Sequence, residues 1–267
     1  MPGTDGKVYF IGAGPGDPEL LTLKGKRILE QADVVIYADS LVDPRICDFA
    51  KASAAIHKSS SATLDEVVDM MTSAARDGKI VARVHTGDPS VYGAIFEQMA
   101  ALEEHQIEYE VIPGVSSVFA AAAALRVELT VPDVSQTVII TRLEGRTPVP
   151  ARQKLKSLAA HDATMGIFLS AAMIDRVVAE LLEGAYSPTT PVAVVYRASW
   201  ENEVKVVGTL ADIAPKVREA GIDRQALILV GEALDTKTNA LSKHRSKLYD
   251  ENFAHGCRRR RQTIDNG

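Results

Sequence analysis

The chain has 267 residues, of which 46% are hydrophobic and 24% charged, with a formal net charge of -5. That length suits one large domain or two smaller ones with a sizeable core. The acidic balance argues against nucleic acid as the main partner, yet leaves room for an anionic small molecule in a locally basic cleft. The longest apolar run, residues 118–125, is far short of the roughly 18 residues that a membrane helix needs. The start lacks the basic and apolar regions of a signal peptide. The chain therefore reads as soluble and cytoplasmic, with no membrane partner. Cys47 and Cys257 lie far apart, and the histidines show no ligand spacing, so no protein-bound metal is expected.

In chain order, residues 8–11 form a β-branched and aromatic run that predicts a buried strand. Gly12, Gly14 and Gly16 follow, then Asp17-Pro18-Glu19 and an apolar periodic run, which predicts a glycine turn and a helix capped by Asp17. Residues 32–37 are the second strand, and the loop YADSLV (37–42) leaves it. Pro44 at a first helical position opens a helix through residue 50. Thr63 and Glu66 make a capping-box pattern for a helix through residue 75, which Asp77 and Gly78 stop. A third strand over 79–85 runs into TGDPSVYG (86–93). Helix 94–105 places Ile95, Met99 and Leu102 on one stripe. A fourth strand at 108–112 meets Pro113-Gly-Val-Ser-Ser117 and an alanine-rich helix over 117–125.

Residues 130–134 read as a connector to a second set: strands at 136–141, 165–169, 191–197, 203–209 and 226–230, with helices at 151–160, 172–183 and 211–220. The expectation is two α/β domains, 7–125 and 126–234, with a mostly parallel first sheet, a mixed second sheet and a cleft between them. Residues 235–267 are a polar tail that ends in Arg258 to Arg261, expected to be loosely attached.

In units of this kind ligands bind outside the carboxyl ends of the strands, so the glycine turn should line a site. Two readings of that turn stay open. Asp39 lies about where a ribose-binding acid would sit, which favours a nucleotide-linked oxidoreductase. Against it, Asp17 replaces the third glycine of the dinucleotide fingerprint, and Pro15 removes an N–H that a pyrophosphate would use.

The loops at 12–17, 86–93 and 113–117, with their spacing, resemble those of the tetrapyrrole methylase family, S-adenosylmethionine-dependent enzymes that methylate uroporphyrinogen III and the precorrins. The resemblance runs over about residues 7–234. GAGPGDPELLTLKG (12–25) is shared widely in that family; YADSLV (37–42) and TRLEGRTPVP (141–150) are similar to its precorrin-4 C11-methyltransferase branch. The resemblance implies a homodimer that binds S-adenosylmethionine in the cleft and methylates precorrin-4. It places Pro15, Thr86, Gly87, Asp88, Val91, Ser116, Ser117, Leu169, Tyr196 and Ala198 at the cofactor. The uroporphyrinogen relatives have Met and Gly where Leu169 and Ala198 stand, which points to backbone contacts there. Asp39 is the candidate general base or substrate-orienting group. A substrate rich in carboxylates calls for arginines, and Arg83, Arg142, Arg146 and Arg197 lie in or beside the relevant loops and strands.

Overall fold

A computed structural model of the chain describes residues 6–235, 246–249, 253–254 and 256. Most of the expected tail, including Cys257 and Arg258 to Arg261, lies outside the described residues. The chain divides into two compact units. Among the described residues, the first holds 6–125 together with 195–205 and 225–227, and the second holds the rest.

The first unit is built on a five-stranded sheet of order β3-β2-β4-β1-β5, formed by Val8–Gly12 (β1), Val34–Tyr37 (β2), Ala55–Lys58 (β3), Val81–His85 (β4) and Tyr109–Ile112 (β5). Every pair in it is parallel. Helices cover both faces, which is why the central strands read as continuous apolar runs. Alternate residues sort to opposite sides. Val8, Phe10, Ile36 and Val81 pack on Val67, Val68 and Met71 of α2 (Leu64–Arg76) and on Leu102 of α3 (Phe96–Glu104). Ile11, Val35, Ala82 and Val84 pack on Ile28 and Leu29 of α1 (Leu23–Gln31).

The strand order has one consequence for function. From β1 the chain crosses through α1 to β2 on one side, and from β4 it crosses through α3 to β5 on the other. The reversal falls between β1 and β4, whose carboxyl ends are Gly12 and His85. A crevice outside that point is where open parallel sheets take ligands.

Local structure departs from expectation in a few places. Asp17 caps only a short 3-10 turn, Pro18–Leu20; α1 starts later, with the Thr22 side chain accepting from the amide of Gly25. Pro18 and Thr22 each impose an extended residue before a new turn, so one expected helix becomes two pieces. Residues 151–160 divide in the same way, into Ala151–Gln153 and α5 (Leu155–Ala159), with Lys154 extended between them. Strand β3 was not expected: all its residues are exposed, so no apolar alternation marks it. The capping box of α2 forms with both of its hydrogen bonds.

The second sheet has the order β6-β7-β10-β8-β9, from Val138–Arg142 (β6), Thr164–Phe168 (β7), Pro191–Tyr196 (β8), Val204–Thr209 (β9) and Ala226–Val230 (β10). It is mixed: β6 and β7 run parallel, β7 and β10 antiparallel. Helices α4 (Ser117–Leu125), α6 (Ile174–Leu182) and α7 (Ile213–Glu219) complete the regular structure. No helix among the described residues is long and apolar enough to cross a membrane.

Truncating fully buried Met71 to alanine is expected to cost about 2–5 kcal/mol of stability. Leu64→Ala, on the exposed side of the same helix, should cost well under about 1 kcal/mol. Urea unfolding monitored by circular dichroism checks both.

Candidate active site

Three turns meet at the carboxyl end of the first sheet, and backbone holds them together. The amide of Ala13 donates to the carbonyl of His85 at 2.8 Å, and Gly14 and Gly87 exchange two hydrogen bonds, 2.7 and 3.2 Å long. Gly12 lies so close to its neighbours that a Cβ there would sit 2.6 Å from the Gly87 carbonyl oxygen and 2.7 Å from Gly114. A Cβ on Gly114 would sit 2.1 Å from that same oxygen. Gly14 and Gly87 have φ of 79° and 60°, left-handed backbone that glycine adopts without steric cost.

Asp88 ties the second turn to the third. Its Oδ2 accepts from the amide of Gly114 at 2.9 Å, and its Oδ1 accepts from the amide of Ser90 at 2.9 Å and from the Ser90 hydroxyl. Burial pushes the carboxyl up, but these donors outweigh it and leave Asp88 below the usual carboxylate range. Ser116 is buried just before α4, and Ser117 is the first residue of that helix, whose leading amides have no intrahelical acceptor.

The segment after β8 docks on the first turn. Trp200 Nε1 donates to the Pro15 carbonyl at 2.9 Å, and the amide of Asp17 donates to Ser199 Oγ at 3.0 Å. A Cβ on Gly16 would lie 2.1 Å from the Trp200 ring. The glycines of the first turn are thus used against this chain's own backbone and indole, which accounts for them without a pyrophosphate. Sequence reasoning missed this docking; its only visible signal was a lone tryptophan placed just after a strand.

The expected cofactor residues Pro15, Thr86, Gly87, Asp88, Val91, Ser116, Ser117, Tyr196 and Ala198 all belong to the first unit. Leu169 belongs to the second, where it follows β7 with φ of 54° and is 67% exposed. Left-handed backbone at a non-glycine residue is strained, and such strain gathers at functional sites.

The four arginines have unlike surroundings. Arg83 alternates with Val81 and so points into the α2–α3 face of the sheet. It is 7% exposed and donates to Gln98 Oε1 at 3.0 Å, Ser59 Oγ at 3.1 Å and the Ile36 carbonyl at 3.3 Å. Burial lowers its pKa to about 10. Its donors serve the interior of the fold and do not face a ligand. Arg142 donates to the carbonyls of Thr147 at 3.1 Å and Pro148 at 2.8 Å, and so braces its own loop. Arg146 is exposed on that loop. Arg197 lies beside the rings of Tyr196 and Trp200.

Asp39 sits after β2 with Oδ1 accepting from the amide of Ser60 at 3.0 Å. That bond holds its carboxyl below the ordinary range, which makes it a weaker base than a free aspartate and suits an orienting role better.

The family model for tetrapyrrole (corrin/porphyrin) methylases matches residues 7–214. The chain is 57% identical over 253 residues to a cobalt-precorrin-4 C(11)-methyltransferase of Methanocaldococcus jannaschii, covering 95% of this chain and 96% of that protein. It is 48% identical to a precorrin-4 C(11)-methyltransferase of Pseudomonas aeruginosa, covering 85% and 90%. The solved structure of a cobalt precorrin-4 methyltransferase of cobalamin biosynthesis superposes with a TM-score of 0.85 at 50% identity, covering 88% of this chain and 98% of that one. A uroporphyrin-III C-methyltransferase from Thermus thermophilus, complexed with S-adenosyl homocysteine, gives 0.70 at 31% identity, covering 86% and 94%.

Gly114→Ala is expected to push the third turn off the Gly87 carbonyl, at a cost of about 1–3 kcal/mol, read by urea unfolding. A pH effect should come from His85, which is buried with Nε2 unpartnered among the described residues. Burial, helped by the nearby Arg83 charge, lowers its pKa to about 3. The folded state therefore keeps the ring neutral while the unfolded chain takes a proton below about pH 6.5. This contribution is complete above pH 6.5 and is lost as pH falls toward 3. His85→Gln should lose less stability between pH 7 and 5 than the parent chain, measured by urea midpoints.

Proposed function

The chain belongs to the tetrapyrrole (corrin/porphyrin) methylases, and on that premise we propose that it methylates C11 of precorrin-4 in cobalamin biosynthesis, with S-adenosylmethionine as donor and precorrin-5 as product. One observation carries this reading: the likeness to proteins named for that reaction runs nearly end to end. The relatives of higher identity are named for the cobalt-bearing substrate, so cobalt-precorrin-4 is the second reading. The oxidoreductase alternative loses its support, because Gly12, Gly14 and Gly16 are used in contacts within the chain. A cytoplasmic homodimer goes with this reading through the family resemblance.

The residues present fit the cofactor. The joined turns form a floor of backbone edged by Thr86, Ser116 and Ser117, with hydroxyls and helix-end amides suited to the hydroxyls and carboxylate of an amino-acid-bearing nucleoside. Pro15, Gly87, Asp88, Val91, Tyr196 and Ala198 complete that set. When bound, the cofactor supplies a methyl group already activated on a sulfonium. What the protein adds is alignment, which can be worth about 7–11 kcal/mol of a barrier. Asp88 acts from beneath, as the brace that keeps the second and third turns in register. Asp39, ionised and tethered to Ser60, orients the macrocycle. Arg197 takes one of its carboxylates, while Arg142 holds the loop of Arg146 in place. Arg83 supports the sheet behind the site.

With methyl-labelled S-adenosylmethionine, one label should pass to the tetrapyrrole, and carbon NMR should place it at C11. Parallel reactions with precorrin-4 and cobalt-precorrin-4 decide between the two substrates. Calorimetry should show binding of S-adenosylhomocysteine and none of NADH. A label on another ring carbon, or none where the cofactor product binds, would rule the assignment out. Asp39→Asn should lower turnover about 10-fold or more, by the scale of a charge-assisted contact.

A further inference from the structure

Arg197 and Gln225 are non-glycine residues that both hold left-handed backbone, with φ of 46° and 50°. Arg197 follows β8 and Gln225 precedes β10. Such conformations persist only where the surroundings fix them. Here the two residues fix each other. The amide of Arg197 donates to the Gln225 carbonyl at 2.9 Å, and Arg197 Nε donates to Gln225 Oε1 at 2.6 Å. Gln225 Nε2 donates in turn to the Ser40 carbonyl at 2.7 Å. That last bond sets the amide the right way round: with its nitrogen committed to Ser40, its oxygen must face the arginine.

Two aromatic rings also lie close to the guanidinium. Its carbon lies 5.0 Å from the Trp200 ring centroid and 5.4 Å from that of Tyr196. Trp200 is itself fixed, through its bond to the Pro15 carbonyl. Among the described residues no protein atom accepts from Arg197 Nη1 or Nη2. An arginine held at Nε with two rings close by offers its terminal nitrogen pair as a ready fork for a carboxylate, with little side-chain entropy left to lose.

We propose that Gln225 is a positioning residue, anchored on the Ser40 carbonyl, that aims the terminal edge of Arg197 at a carboxylate of the tetrapyrrole. This deepens the methyltransferase reading and rests on it. Arg197 touches the substrate; Gln225 acts through Arg197. A joint that serves only the fold would show itself in stability and leave substrate affinity alone.

The test is steady-state kinetics on the full chain, with the tetrapyrrole varied at saturating S-adenosylmethionine. Gln225→Asn keeps a residue that tolerates left-handed backbone but is one methylene too short to reach. It should raise KM for the tetrapyrrole about 10-fold, the scale of one charge-assisted hydrogen bond, with kcat within about 2-fold. Affinity for S-adenosylhomocysteine, read by calorimetry, should not change. Arg197→Ala should raise KM at least as much, and adding Gln225→Asn to it should raise KM no further, because the two act as a unit. Gln225→Leu, if it folds, should match Gln225→Asn. An unchanged KM in Gln225→Asn, or a full further rise on the Arg197→Ala background, overturns the proposal while wild-type turnover keeps the methyltransferase reading intact. A wild-type chain that transfers no methyl to either tetrapyrrole overturns both.

Discussion

The site depends on how closely backbone can approach backbone at the ends of β1, β4 and β5. Gly12 and Gly114 crowd the Gly87 carbonyl there, with no room for a side chain on either. The contacts among these three glycines are made by main chain. Asp88 closes the arrangement by accepting from Gly114. The strand order puts this junction at the point where the chain's direction of winding reverses, the place an open sheet leaves accessible. Topology supplies the opening, and the glycines supply the floor.

The same sheet decides what the charged strand residues can do. In β4 the alternation of side chains sends Arg83 and His85 to the α2–α3 face along with Val81. Once there, Arg83 needs partners and finds Gln98, Ser59 and a backbone carbonyl. His85 is kept neutral by burial and lies with its ring centroid 6.0 Å from that of Phe10. Proximity in sequence to the 86–93 loop is therefore a poor guide to the site. Parity along the strand is the stronger constraint, because one residue's step turns a side chain from one face to the other.

Sequence reasoning succeeded where a local rule and the global fold agree. Buried runs such as residues 34–37, the Thr63 capping box and the glycine turns were all legible, because each carries its physics within a few residues. What escaped was long-range. Strand β3 forms because β2 offers an unpaired edge, not because its own residues favour a pleat. The bond from Trp200 to Pro15 joins positions 185 apart, as does that from Gln225 to Ser40. No periodicity encodes such pairs. Arg83 misled because residue type was visible and direction was not, although counting from Val81 would have placed it inside.

The electrostatics also say what kind of chemistry this floor suits. Asp39 and Asp88 are both held below the ordinary carboxylate range by donors from the chain. A site built for proton abstraction would raise a carboxylate toward neutrality. This one does the reverse: it spends its hydrogen bonds on keeping acids ionised and turns rigid. Rigidity of that kind is what a transfer limited by the alignment of three atoms requires, and it is supplied by main chain together with the Asp88 carboxylate.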